Sequence, residues 1–210
     1  MATSDIETTE SNNDTGRIEA FSDGVFSIAV TLLVLDIKVP HSSELPDGVS
    51  LFTALLQQWP VYVAYVGSFA TILIMWANHH NLFKQIKRSN HGLLLVNGFL
   101  LLVVTVVPFP TSLLAEYIRH PQENVAMMIY AGTFTLISVL FNLLWWYTAR
   151  SGLLVNDGDT VQAKAIERSY LLGPVVYFIA IIVSAFSPVL GFVICIGMAI
   201  FYALPRATGQ

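Results

Sequence analysis

The chain contains 210 residues, of which 55% are hydrophobic and only 11% charged, and its formal net charge is −4. Soluble domains carry about a quarter charged residues, so this composition indicates a protein whose main solvent is lipid. No run of basic residues indicates nucleic-acid binding, and the single cysteine, Cys195, cannot form a disulfide within the chain.

Three regions are predicted in chain order. Residues 1–16 are polar, include four acidic side chains and no aromatic one, and are predicted to form a disordered acidic tail. This tail lacks the basic start and short apolar core of a signal peptide. Residues 17–205 are predicted to form an all-α membrane domain, and 206–210 a short C-terminal tail.

Long apolar runs predict six membrane-crossing helices, since about 20 residues are needed to cross the hydrocarbon layer. In chain order these predicted spans are 17–38, 59–83, 92–115, 124–148, 169–186 and 188–205. Ser187 and Pro188 divide the last apolar block into two short spans, for which a re-entrant hairpin is the alternative. Val49–Gln58 is amphipathic and is predicted either to lie at the membrane interface or to extend the second span.

The distribution of lysine and arginine predicts the orientation of the chain. With an internal N-terminus, eight of these residues fall on the inner side and two on the outer side. The eight are Arg17, Lys84, Lys87, Arg88, Arg150, Lys164, Arg168 and Arg206, and the two are Lys38 and Arg119. Both termini are therefore predicted to be cytoplasmic.

The first predicted span carries charge close to membrane depth. Only 12 uncharged residues separate Asp23 from Asp36, or about 18 Å of helix, which is too short to cross a bilayer. A charge at the bilayer centre costs roughly 2.5–3.5 kcal/mol on insertion scales. This span is therefore predicted to be an interior helix that faces protein or water rather than lipid.

Two stripes follow the first span, one polar and one branched aliphatic, on adjacent faces of the helix. They consist of Asp23, Ser27 and Thr31, and of Ile28, Leu32 and Leu35. One interpretation is ordinary packing, in which serine and threonine hydroxyls bond their own backbone. The other is a polar track beside a water-filled pathway. For Ser27 and Thr31 the packing interpretation is favoured, and for Asp23 it is rejected.

Further polar side chains are predicted at the depth of Asp23, near the cytoplasmic side. They are Asn78, His79, His80 and Asn81 on the second span, Asn97 on the third and Asn142 on the fourth. His79 and His80 are adjacent and diverge by about 100° around a helix, so both cannot easily bind one metal ion. No recognised catalytic motif accompanies them, and neither an enzyme nor a metal site is predicted.

The start of the first span resembles a known family. Arg17, Phe21, Ser22 and Asp23 form the pattern Arg-x3-Phe-Ser-Asp, which is similar to the signature of the transmembrane protein 175 (TMEM175) family. That family comprises the endosomal and lysosomal potassium channel of animals and its shorter prokaryotic homologues. The following run, 28–36, also fits, as does the sequence Trp-Ala-Asn-His-His at 76–80.

The resemblance implies a homotetramer of six-helix subunits in the plasma membrane, with four copies of the first span around a central pore. It implies a channel for monovalent cations that favours potassium over sodium and needs no cofactor besides the permeant ion. Selectivity would come from aliphatic rings at Ile28, Leu32 and Leu35, with a hydroxyl layer at Thr31. The family's polar network would comprise Arg17, Phe21, Ser22, Asp23, Trp76 and Asn78 together with His79 or His80.

Three other functions stay open at this point. Prolines at Pro108, Pro110, Pro174 and Pro188 could break helices around a midplane site, as in a secondary transporter, although the chain contains no internal repeat. A membrane-embedded enzyme using His79, His80 and Asp23 ranks lower, because no recognised catalytic motif supports it. A scaffolding membrane protein without transport activity is the third.

Overall fold

The computed structural model describes residues 2–41, 48–155 and 161–204, with side chains from residue 15 onward except at 161–166 and 169. These ranges contain eight α-helices: α1 (Ala2–Leu32), α2 (Leu51–Gln57), α3 (Trp59–Phe83), α4 (His91–Val106), α5 (Pro108–Tyr117), α6 (Glu123–Arg150), α7 (Val161–Ser184) and α8 (Pro188–Ala203). A 3-10 turn, Leu33–Asp36, follows α1. Within the described ranges the extended pairing is one isolated bridge between Ile86 and Leu154, so the all-α prediction is confirmed.

Four stretches are long and apolar enough to cross a membrane. They are Thr15–Asp36, Trp59–Phe83, His91–Tyr117 and Glu123–Arg150. The apolar stretches Tyr170–Ser184 and Pro188–Ala203 are shorter, so the six-span count stays a prediction. Helix α1 begins at Ala2, within the segment for which composition predicts disorder, and the predicted tail 206–210 lies outside the described residues.

The amphipathic segment before the second span forms a separate helix, α2. Its N-terminus is capped by Ser50, whose Oγ accepts a hydrogen bond of 3.1 Å from the backbone N–H of Thr53. Leu51 and Phe52 are exposed on its surface, as expected of a helix that lies along the membrane interface. The chain then turns at Gln58, and Pro60 occupies the first turn of α3, where proline is well tolerated.

The third predicted span is confirmed as one apolar stretch, His91–Tyr117, whose helix is interrupted at Val107 between α4 and α5. Pro108 and Pro110 have no backbone N–H, so the regular ladder of helix hydrogen bonds cannot continue through them. The Thr111 backbone N–H and hydroxyl both donate to the Val107 carbonyl, over 3.2 and 2.8 Å. The buried Ser68 hydroxyl lies 2.7 Å from Thr111 Oγ1 and 3.1 Å from Tyr130 Oη, and this links the break to α3 and α6.

The helices form two groups that are joined through α3, α4 and α5. Helix α1 packs against α3 and α4, whereas α6, α7 and α8 pack on one another; α8 also contacts α3, and α6 contacts α4 and α5. Gly191 permits the close approach of α7 and α8, because a Cβ atom there would lie only 2.0 Å from Ser184 Oγ. One side of α3 therefore faces the first helix and another faces the C-terminal helix pair.

Candidate pore-lining helix and its polar network

Helix α1 has one buried face and one open face. Ser22, Phe26, Ala29 and Leu33 recur at helical spacing, and each exposes no more than 1% of its surface. These side chains hold α1 against α3 and α4. The opposite face is exposed among the described residues of the chain, so it is free to face lipid, water or another copy of the protein.

The predicted aliphatic stripe lies on this open face. Ile28 is 58% exposed, Leu32 40% and Leu35 70%, and Ser27 and Thr31 are exposed beside them. The Thr31 hydroxyl donates to the Ile28 carbonyl over 2.9 Å, which is the backbone bonding that the packing interpretation predicts for Thr31. The five side chains predicted to line a pore therefore share one side of the helix, directed away from the rest of the chain.

The carboxylate of Asp23 is held by a tryptophan on α3. The indole Nε1 of Trp76 donates a hydrogen bond of 2.8 Å to Asp23 Oδ1. The indole also stacks on the ring of His80, with centroids 6.1 Å apart and an angle of 16° between the planes. Asp23 is only half-buried, so this contact lies at the border between the packed and open faces of α1.

A second chain of hydrogen bonds runs through the buried side of the same layer. The Asn97 amide donates from Nδ2 to Ser22 Oγ over 2.9 Å, and Ser22 Oγ donates to the Ile18 carbonyl over 2.8 Å. Asn97 Oδ1 lies 2.9 Å from His79 Nε2. Since this oxygen can only accept, Nε2 is the protonated nitrogen of the His79 ring.

The aromatic cage around His79 explains why the ring stays buried. Its centroid lies 4.4 Å from that of Phe83 and 5.3 Å from that of Phe26. The other ring nitrogen, Nδ1, is buried and has no hydrogen-bond partner among the described residues. His79 therefore has a single polar contact, and Asn97 provides it.

His80 contacts α1 separately. Its Nδ1 lies 2.5 Å from Glu19 Oε1, and the His80 and Glu19 side chains are 38% and 24% exposed. Glu19 was not singled out from the sequence, although it precedes Asp23 by four residues and so lies on the same side of the helix. Both histidines therefore belong to the polar layer, whereas the resemblance implied that either His79 or His80 would.

The contacts of Asn78 differ from those that the resemblance implies, because they lead to α8 and not to α1. Its Nδ2 donates to the Ile74 carbonyl over 2.8 Å and to the Tyr202 carbonyl of α8 over 3.3 Å. Asn78 precedes His79 by one residue, so it points about 100° away around α3 and cannot join the contacts with α1. Asn81 and Asn142 also take no part in the hydrogen bonds of this layer among the described residues.

Arg17 and Phe21 lie at the edge of the layer. Both are exposed and line a cavity of about 420 Å³ between α1 and α4, with Asn97 at its inner wall. In the described part of the chain, no three His, Cys, Asp or Glu side chains come together as metal ligands. The layer is therefore a set of hydrogen bonds that fixes α1 on α3 and α4.

Comparisons with known proteins agree with this architecture. Residues 17–108 match the model of the family described as endosomal/lysosomal potassium channel TMEM175. A protein from Chamaesiphon minutus, named a potassium channel, is 48% identical over 91% of this chain and 95% of its own length. Another named potassium channel, from Streptomyces collinus, is 45% identical over 79% of this chain and 80% of its own length.

A solved structure has the same fold. The crystal structure of a lysosomal potassium-selective channel TMEM175 homolog from Chamaesiphon minutus superposes with a TM-score of 0.84 and 47% sequence identity. The match covers 94% of this chain and 100% of that one, so it includes both the α1 layer and the C-terminal helix pair.

Proposed function

The chain belongs to the TMEM175 family, and from that premise we propose that it is a potassium-permeable cation channel, selective for potassium over sodium, with four copies of α1 around the pore. Its relatives are named as channels and not as enzymes.

One observation carries the proposal: the exposed aliphatic row of α1 on a helix whose other face is fully packed. Ile28, Leu32 and Leu35 are open to the outside of the chain, while Asp23 on the same helix is fixed at membrane depth by Trp76. Exposure of the Asp23 side of this helix to lipid would be energetically unfavourable. Covering α1 with further copies of itself resolves both features, because it removes the helix from lipid and aligns the aliphatic rows around an axis.

A ring of aliphatic side chains selects ions by dehydration. A narrow apolar neck repels hydrated ions and conducts when it widens enough to become wet. An ion that passes must release part of its hydration shell, and sodium holds water more tightly than potassium. No oxygen ligand replaces the lost water at Ile28, Leu32 or Leu35, so the preference for potassium is modest and depends on the width of the neck.

The subunit arrangement follows the same proposal. Helices α7 and α8 are the fifth and sixth spans in this proposal, although their apolar stretches, Tyr170–Ser184 and Pro188–Ala203, are short; the match to the related channel structure, which covers 94% of this chain, supports it. Both termini lie in the cytoplasm, as the excess of basic residues on that side favours. Prokaryotic members of the family lie in the plasma membrane, and the same location is proposed here.

The test is purified protein in liposomes, with subunit number and ion flux measured on the same preparation. We expect a tetramer by mass measurement in detergent or nanodiscs, and potassium flux that rises linearly with the driving force and appears as unitary currents in planar bilayers. A monomeric protein, or flux that saturates with substrate and shows no unitary events, would instead indicate a secondary transporter.

A further inference from the structure

A crevice opens between α3, α6, α7 and α8, on the side of α3 opposite to α1. It consists of two adjoining cavities, of about 580 Å³ and about 40 Å³. Ile74, Asn78, Tyr170 and Tyr202 line both of them. The larger cavity lies at the end of α3 where the cytoplasm is proposed, and the smaller one lies deeper in the bundle.

The two ends of the crevice differ in chemistry. Asn81, Lys84 and Gln85 line the outer cavity, and Lys84 is the one charged residue among the described residues that line either cavity. The inner cavity is lined by apolar and aromatic side chains such as Ile137, Phe141 and Tyr177. The lining is therefore cationic and polar at the level of the lipid headgroups, and apolar at the depth of the acyl chains.

We propose that this crevice binds a single-chain anionic lipid, with its headgroup at Lys84 and its acyl chain between α3 and the C-terminal helix pair. A basic residue beside a pocket between transmembrane helices is the usual arrangement for an anionic headgroup. The inner cavity, of about 40 Å³, admits no more than the end of one acyl chain, so most of that chain lies in the outer cavity, and a second chain has no place in the crevice. A cavity of this size at bilayer depth is filled by lipid or water, and apolar walls favour the lipid.

The crevice is also placed to act on the rest of the chain. Asn78 lines both cavities and donates to the Tyr202 carbonyl of α8, so a bound chain would contact the hydrogen bond that joins α3 to α8. The neighbouring residue His79 contacts Asn97 of α4 from another side of α3, about 100° away. Binding in the crevice is therefore expected to affect α3, the helix that positions α1.

Tryptophan fluorescence distinguishes the crevice from the surrounding bilayer. Trp145 lines the outer cavity but is only 3% exposed, so a quencher reaches it through the crevice and not from bulk lipid. Trp146, next to it, is 42% exposed and reports the bulk lipid. The probe is brominated stearate, whose bromine quenches indole on contact, added to the full chain in phosphatidylcholine vesicles.

We expect saturable quenching that disappears in Trp145→Phe, persists in Trp146→Phe and is competed by unbrominated stearate. Lys84→Ala should weaken binding by roughly two- to fivefold, the effect of losing one partly exposed ion pair. Arg88→Ala, a nearby exposed cation that does not line the crevice, should leave binding unchanged. Ala77→Phe, at an exposed position on the outer wall, should abolish it by filling the cavity, without adding an indole to the assay.

Three results would overturn the proposal. Quenching that rises in proportion to the lipid fraction and survives in Trp145→Phe would mean that no site exists. Equal binding of a brominated alcohol of the same length would show that the site does not require an anionic headgroup. Saturable quenching that appears only after deletion of residues 205–210 would show that the chain's own C-terminal segment fills the crevice.

Discussion

Trp76 on α3 donates a hydrogen bond of 2.8 Å from its indole nitrogen to the carboxylate of Asp23 on α1. This contact joins the helix that carries the exposed aliphatic row to the helix at the centre of the fold. It is the one hydrogen bond, among those of the described residues, that reaches the carboxylate expected to be costly at this depth.

Removal of this contact should loosen the assembly. Trp76→Phe and Asp23→Ala should each lower the thermal stability of the oligomer, and a double-mutant cycle should give a coupling of about 1.5 kcal/mol, typical of a hydrogen bond to a charged group. Thermal shift with size-exclusion chromatography measures both. Trp146→Phe is the control, since its indole lies outside this contact, and a stable Asp23→Ala tetramer with full conductance would contradict the role of Asp23.

Ile28→Asn should weaken ion selectivity. An amide in the aliphatic neck would let it become wet and offer an oxygen that sodium and potassium both accept. We expect conductance to rise and the potassium-to-sodium permeability ratio to fall severalfold, measured from reversal potentials under bi-ionic conditions. Leu136→Asn, at an exposed aliphatic position on α6, is the matched control. Unchanged selectivity in Ile28→Asn would show that Ile28 is not part of the selectivity filter.

Asn97→Leu should be among the most damaging single changes in the layer. It would leave the buried His79 Nε2 without an acceptor and Ser22 Oγ without a donor, at a cost of about 1–3 kcal/mol for each unsatisfied group. The expected result is loss of most folded protein, measured by its yield and melting temperature in detergent. Thr105→Ala is the control on the same helix, because its exposed hydroxyl bonds only to its own backbone at Leu102.

Glu19→Gln should have a small effect by comparison. Glu19 and His80 are both partly exposed, and polar contacts between partly exposed side chains contribute less than about 1 kcal/mol. We expect only a slight fall in melting temperature. A fall as large as that of Asn97→Leu would mean that the pair becomes fully buried in the assembled channel.

Some of the fold could be predicted from sequence because its causes are local. The bounds of α3 agree with the predicted 59–83, since Pro60 marks its first turn and Lys84 follows its last apolar residues. The open face of α1 also follows the predicted aliphatic stripe, because helical periodicity alone decides which residues share a side. The sequence identifies Pro108 and Pro110 as residues that could break a helix, but whether a helix is interrupted there depends on how its neighbours accommodate the prolines.

The partners of the polar layer depended on information that the sequence does not contain. Asn78, His79 and His80 are consecutive, so they point in three directions about 100° apart. Only the packing of α3 decides that these directions lead to α8, α4 and α1. The pairing of Asn97 with Ser22 has the same origin, since residues on separate helices are matched by tertiary geometry and not by spacing.

The contacts on opposite sides of α3 restrict how the channel could open. Rotation of α3 about its own axis would separate Trp76 from Asp23 and, in the same movement, Asn78 from the Tyr202 carbonyl. Such a twist would break the hydrogen bonds on both sides of α3 together, whereas a tilt that carries α1, α3 and α4 as one rigid body would preserve those of the polar layer. Widening of the conduit should therefore proceed by a tilt of these three helices together.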